Sequence, residues 1–315
     1  MTRAGCAPRR VRFWLAFAVA LPLVAGCGGR DAGAGAGADR GTGAGDVSAA
    51  GRAVDSANPA GWVLPLQAYL PDGDQEDLLF DGVEQAKSAC MKRYGFDYRP
   101  AEPLPKIGPK TLTDLRYGIH DRDVAATYGY KPAGDMSAYQ REVRRLMEAS
   151  VLGPEEEAAM TGQQAGAVAG SVAGEKLPEG GCGGEAHRRV HGSATPVSTL
   201  ATDLSNEAYT KAQRTEPVRK VFRSWAACMA DSGYTYDEPM DAPSDPAFAQ
   251  PTVTAEEIAT ALADLKCRDT HKVAEIWFEE ESRIQEQLAD KHAQELKEAG
   301  RALKKAVQAA DALRR

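Results

Sequence analysis

Apolar residues along most of this chain recur at helical spacing. Leu78, Leu79, Val83, Ala86, Ala89 and Cys90 fall near one face of a helix predicted over about 75–94. Asp72 or Asp74 can cap its start, and Gly95 stands where a left-handed C-cap is wanted. A second stripe runs through Val218, Val221, Phe222, Trp225 and Cys228. Thr215-Glu216-Pro217 opens that helix and Gly233 ends it. Between the two, Met136–Ser150 predicts a helix with Tyr139, Val143, Leu146 and Met147 inward. Shorter helices are expected from about Asp121, over Glu155–Thr161 and over Glu185–His191.

The pattern is strongest from Thr254 onward. Thr254-Ala255-Glu256-Glu257 fits a capping box. Ile258, Leu262, Leu265, Val273, Trp277, Ile284, Leu288, Leu296, Leu303 and Val307 then recur with no intervening proline. This predicts one long helix over 254–315, with Gly300 as the place where it could break. The 254–299 part alone would span ~70 Å at 1.5 Å per residue. That exceeds one small core, so the distal half is expected to pack on a partner, form a coiled coil, or stand in solvent.

The remaining segments read as loops. Residues 99–118 hold four prolines, and 237–252 are rich in Pro and Asp. Residues 162–181 read as a flexible or weakly helical surface loop. Trp62–Leu70, with Pro65, reads as an extended arm lying on the core. No alternating pattern of four or more residues marks a strand. The expected fold is all-α: an irregular helical domain with long loops, two disulfides and one long C-terminal helix.

The N-terminus has a different character. Arg3, Arg9, Arg10 and Arg12 precede the apolar run Phe13–Gly26, which contains no acid. That run is shorter than the ~20 residues of a spanning helix and matches a secretory signal peptide. Its end, Val24-Ala25-Gly26-Cys27, resembles the bacterial lipobox, in which the cysteine is lipid-modified and becomes the new N-terminus. Arg9-Arg10 does not fit twin-arginine export, because Phe13 and Leu15 are out of register. The expected organisation is a signal peptide over 1–26, lipidated Cys27 with a flexible Gly/Ala-rich tether over 27–60, and a helical extracytoplasmic domain over 61–315. Removing the four signal arginines from 38 basic residues leaves 34 against 45 acidic, net −11. No basic patch is large enough to track a phosphate backbone, so nucleic acid is not an expected partner. The membrane contact is expected to run through the lipid.

Cys6 leaves with the signal segment and Cys27 is the lipidation candidate. Cys90, Cys182, Cys228 and Cys267 remain, an even number in a chain expected outside the cytoplasm. Four cysteines allow three pairings. Chain order suggests Cys90–Cys182 and Cys228–Cys267. The chain also repeats one motif: ACMKRYGFDY at 89–98 returns as ACMADSGYTY at 227–236. Each copy reads as a helix stop, with a buried cysteine, a glycine cap and aromatic residues folding back over the bond.

Candidate chemistry is sparse. His187 and His191 lie one helical turn apart and, with Glu185 or Cys182, could hold Zn²⁺. The H-E-x-x-H arrangement is absent, and two surface histidines on a cationic helix explain the pair as well. Met91 and Met229 point to a different face from the neighbouring cysteines, which disfavours copper. His120, Asp121 and Asp123 share a loop without a nucleophile in place. No C-x-x-C, G-x-S-x-G, P-loop or dinucleotide fingerprint appears. No catalytic residue, metal or cofactor is therefore assigned.

Several short motifs occur in a distinctive order: the lipobox, LPLQAY, the Cys-Met-x3-Gly-Phe-x-Tyr turn, YGI…YGY, PEGGCGGEA, W-x2-CM-x3-G-Y and EIATALADLKC. Over about 62–299 the chain resembles actinobacterial, Streptomyces-like surface lipoproteins with repeated Cys-Met-x3-Gly-aromatic motifs. The resemblance implies an envelope accessory role beside peptidoglycan-binding and export-transporter components, and it brings no catalytic residues. The reading is a membrane-anchored, non-enzymatic cell-envelope lipoprotein that binds an envelope protein, a transporter component or cell-wall polymer. The alternatives are an extracytoplasmic metal-dependent enzyme using His187 and His191, and a solute-binding lipoprotein.

Overall fold

The computed structural model describes residues 58–149, 151–164, 167–168, 170–192 and 199–314. The expected signal peptide, Cys27 and the tether up to residue 57 lie outside the described residues. Among these, ten α-helices carry the fold and the strands are minimal, so the chain is all-α.

The helices are α1 (Gly73–Arg93), α2 (Arg122–Tyr128), α3 (Met136–Ala149), α4 (Pro154–Thr161), α5 (Gly181–His191), α6 (Thr199–Ala212), α7 (Glu216–Asp231), α8 (Ala255–His271), α9 (Val273–Lys291) and α10 (Ala293–Leu313). Asp72 caps α1, accepting from Gln75 N at 2.8 Å. Asp121 caps α2 through the amides of Asp123 and Val124. Thr215 occupies the N-cap of α7, but its hydroxyl donates backward to Ala212 O at 2.9 Å. α6 was not anticipated by the pattern reading, although Ala201, Leu204, Ala208 and Ala212 form its buried stripe.

The helices form two regions. In the first, α1, α5 and α10 pack together, with α4 against α5. Leu79, Val190, Ala306 and Ala310 fill one seam. A side chain at Gly82 would collide with Ala310, so α1 and α10 touch almost backbone to backbone. A small neighbouring core surrounds Cys90, Met91 and Cys182. The second and larger region joins α6, α7, α8 and α9, with α2 on α8. Trp225 and Trp277 are fully buried there, and Trp62, Leu64 and Leu66 of the N-terminal arm plug its side. Each such side chain contributes about 1.5–3 kcal/mol by leaving water. The arm lies on the core as expected, but Pro65–Tyr69 winds into a 3-10 turn instead of staying extended.

The single long helix expected over 254–315 is instead three helices. The chain turns at Lys272, which adopts φ 56°, ψ 46°, and again at His292. A left-handed lysine is unusual and costs about 1–2 kcal/mol. Burial of Val273, Trp277 and Leu288 against α6 and α7 offsets it. α10 then crosses to α1 and α5. Every part of the charged C-terminal segment therefore packs on the body, and none stands free as a distal half.

Three smaller expectations also change. Residues 162–181 contain two antiparallel ladders of two-residue strands, β1 (Gln163–Gln164) with β2 (Ala167–Val168), and β3 (Ser171–Val172) with β4 (Glu175–Lys176). Val172 and Leu177 from this segment are buried on the Cys90–Cys182 core, so it is not merely surface. Met147 is 67% exposed rather than inward, and no described side chain of α3 is fully buried. Ala89 is likewise exposed.

Candidate functional site

Cys90 of α1 is bonded to Cys182 of α5, and Cys228 of α7 to Cys267 of α8. This is the pairing that chain order suggests. The Cα–Cα separations are 5.5 and 5.7 Å. Each bond ties a Cys-Met helix end to a second helix. Beyond each cysteine the backbone repeats itself. Phe96 N donates to Met91 O at 3.1 Å, and Tyr234 N to Met229 O at 2.9 Å. Gly95 and Gly233 adopt φ 82° and 90°. The second tyrosine of each plug then donates to a carboxylate: Tyr98 to Glu84 at 2.9 Å, Tyr236 to Asp245 at 2.8 Å.

The zinc candidates are not brought together into a site. His187 and His191 face one another with ring centroids 4.6 Å apart. Burial, then the neighbouring His187, pushes the His191 pKa down. Cys182 is consumed in its disulfide, and the Glu185 carboxylate is held by Arg93 at 2.5 Å. Among the described residues no group of three or more His, Cys, Asp or Glu could hold a metal ion. His120 pairs with Asp114 at 2.8 Å, away from the loop acids considered with it.

The densest polar chemistry lies inside the larger region. Arg116 grips Glu281 through Nη2 at 2.7 Å and Nε at 3.0 Å. Tyr117 donates to the same carboxylate at 2.9 Å, and Gln285 at 2.7 Å. Gln285 in turn accepts from Leu66 N, fixing the arm. One turn-set away, Asp264 accepts from Arg268 at 2.6 Å, Trp225 Nε1 at 2.8 Å and Tyr130 at 3.1 Å. Arg268 spends its other donors on the carbonyls of Tyr117 and Pro239. Glu257 accepts from Tyr130 N at 3.0 Å. Its second oxygen has no aligned hydrogen-bond donor, but lies 3.1 Å from Lys131 Nζ as an ion pair. Lys131 also donates to Phe248 O.

Burial pushes the Tyr117 phenol far up, and the Glu281 charge adds to it. Burial alone would lower the Arg116 pKa, but Glu281 outweighs it and the net direction is up. Three cations thus face three carboxylates, and each carboxylate is committed to a partner. Burying such charges costs desolvation, which the pairing offsets, so removing one partner would leave an uncompensated charge.

The network also explains the YGI…YGY segment. Gly118 (φ 99°) leaves room for the Arg268 guanidinium, and Gly129 (φ 58°) for the Glu257 side chain. Any Cβ at either position would overlap those groups. The two tyrosines, Tyr117 and Tyr130, then hydrogen-bond to Glu281 and Asp264. The pattern reading gives Glu257 only a place in a capping box, whereas its carboxylate turns to Tyr130 N and Lys131, and it does not single out Asp264, Arg268, Glu281 or Gln285, because polar residues on a helix read as solvated. A signal was present. Glu257, Asp264 and Arg268 share the register of Ala261 and Leu265, and Glu281 and Gln285 that of Trp277 and Leu288.

Two surface concavities stand out among the described residues. A cleft of about 290 Å³ lies among α2, the start of α3 and the loop before α8, lined by Tyr128, Lys131, Met136, Gln140, Gln250 and Val253. A groove of about 460 Å³ runs between α7 and α9 over Val221 and Ile276, with Lys220, His271 and Glu280 at its edges. No family model, curated protein or solved structure matches this chain.

Proposed function

We propose that this protein is a lipid-anchored, non-enzymatic binding protein of the cell envelope, held to the extracytoplasmic face through Cys27. The observation that carries the reading is Val24-Ala25-Gly26-Cys27 at the end of an apolar run, ahead of a domain closed by two disulfides. The disulfides point to an oxidising, extracytoplasmic environment. No helix among the described residues is long and apolar enough to cross a membrane; in this reading the lipid on Cys27 supplies the attachment. The buried carboxylates Glu257, Asp264 and Glu281 are each paired with a cation inside the domain, which gives them a structural role. An envelope protein or cell-wall polymer would be the partner, met at the surface of the helical body.

The test is mass spectrometry of the N-terminal peptide from protein isolated from membranes of a lipoprotein-processing bacterial host. A peptide beginning at Cys27 and carrying a diacylglyceryl thioether supports the reading. A chain beginning elsewhere, or an unmodified Cys27, overturns it. Cys27→Ser should move the protein from the membrane to the soluble fraction.

A further inference from the structure

We infer that the cleft among α2, α3 and the loop 249–253 binds a neutral, N-acetylated saccharide. Its floor is fixed before any ligand arrives. Lys131 reaches across to Phe248 O and Glu257, and the Tyr130 and Phe248 rings lie 5.8 Å apart. These contacts lock the turn after α2 to the loop before α8. The third wall is the start of α3, fixed by Asp135, which accepts from Ala138 N at 2.8 Å and Tyr139 N at 3.0 Å. The floor and the start of this wall are therefore set before any ligand arrives, and the rest of α3 carries no fully buried described side chain.

The lining selects the chemistry. Lys131 is its one charged group, and Glu257 neutralises it from beneath. An ionic ligand would find no uncompensated charge, so the site favours a neutral one. Gln140 of α3 and Gln250 of the loop before α8 both line the cleft and are exposed, each with an amide that can both donate and accept. Two such amides can serve sugar hydroxyls. Tyr128 supplies an aromatic ring and Met136 and Val253 an apolar corner. A sugar ring has apolar C–H faces for the former, and an acetamido methyl fits the latter. About 290 Å³ is at the small end of ligand sites and suits one or two sugar rings rather than a folded partner.

The inference takes from the proposed function only where such a ligand would be met, so the two fail separately. Calorimetric titration of the full-length protein with tri-N-acetylchitotriose tests it, whatever the state of Cys27. Saturable binding is expected, with an affinity that does not change between low and high salt. Gln140→Ala and Gln250→Ala should each weaken it about tenfold without changing the melting temperature, because both side chains are exposed. Ser224→Ala, in the groove between α7 and α9, should leave binding unchanged. Absence of saturable binding overturns the inference. So does full wild-type affinity retained in both glutamine variants, or selective binding of a short apolar peptide in place of the sugar.

Discussion

The Cys-Met turn at 89–98 and its copy at 227–236 share a backbone and differ in what surrounds them. Both end a helix on a glycine with positive φ, and both return an amide to the methionine carbonyl. The first turn sits on a small satellite core of Met91, Val172 and Leu177. The second belongs to the main core, with Met229, Trp225 and Cys267 fully buried beside the Asp264–Arg268 pair. The closed loops span 92 and 39 residues. Loop-closure entropy separates these by less than ~1 kcal/mol, so loop length does not distinguish the bonds. Their surroundings do. The same turn secures a local appendage in one place and the centre of the fold in the other.

The sharpest way to break this comparison is to remove the charge beside each turn. Asp264→Ala leaves Arg268 and Trp225 buried without their acceptor and should cost about 3–5 kcal/mol in urea unfolding. Glu84→Ala, beside the first turn, should cost less, because the partner Lys87 is 26% exposed and can turn to water. Equal losses would mean that the two surroundings do not differ energetically.

Removing the bonds comes next. Cys228→Ser with Cys267→Ser should lower global stability by about 2–5 kcal/mol. Cys90→Ser with Cys182→Ser should chiefly open the satellite region, seen as faster hydrogen exchange over 89–98 and 171–182 while α7 and α9 stay protected. Uniform loss of protection in both double variants would show one cooperative unit. Within each pair, either single variant should melt like the double.

The smallest effect concerns the tyrosine plugs and acid. Burial would raise the Glu84 pKa, but Lys87, Ala101 N–H and the Tyr98 hydroxyl together hold it below its ordinary 4.5. Ala247 N–H, followed by the Tyr236 hydroxyl, holds Asp245 below 3.8 against a small burial effect. Depressed carboxylates lend stability that is complete above those ordinary values and disappears as pH falls through the lower folded-state values. Both plugs should therefore loosen below about pH 4, the Glu84 side with more effect on stability because Glu84 is buried and Asp245 only partly so. Tyrosine NMR linewidths across that range check it, and Glu84→Gln should abolish the response at Tyr98 alone.

Much of the local structure was legible. Asp72, Asp121, Gly95 and Gly233 stand where backbone geometry at helix ends requires them, and that requirement involves neighbours in sequence. The supply of four cysteines to the folded domain also reads directly. The breaks at Lys272 and His292 were not legible, because neither residue is a helix breaker by its own chemistry. They form because α8, α9 and α10 each gain more by packing on different helices than a straight rod would gain in solvent. The candidate cleft was equally hidden, since Tyr128, Gln140 and Gln250 meet only after three segments converge.

The sequence by itself thus determined an all-α chain, its caps, its repeated turn and the supply of cysteines, because these follow from spacing and from short-range backbone sterics. Only the tertiary structure decided which charged residues are interior. Periodicity places Glu257, Asp264, Arg268, Glu281 and Gln285 on a face, but burial depends on what covers that face. Here the covering comes from Arg116, Tyr117, Tyr130 and the glycines beside those tyrosines, more than 100 residues away along the chain.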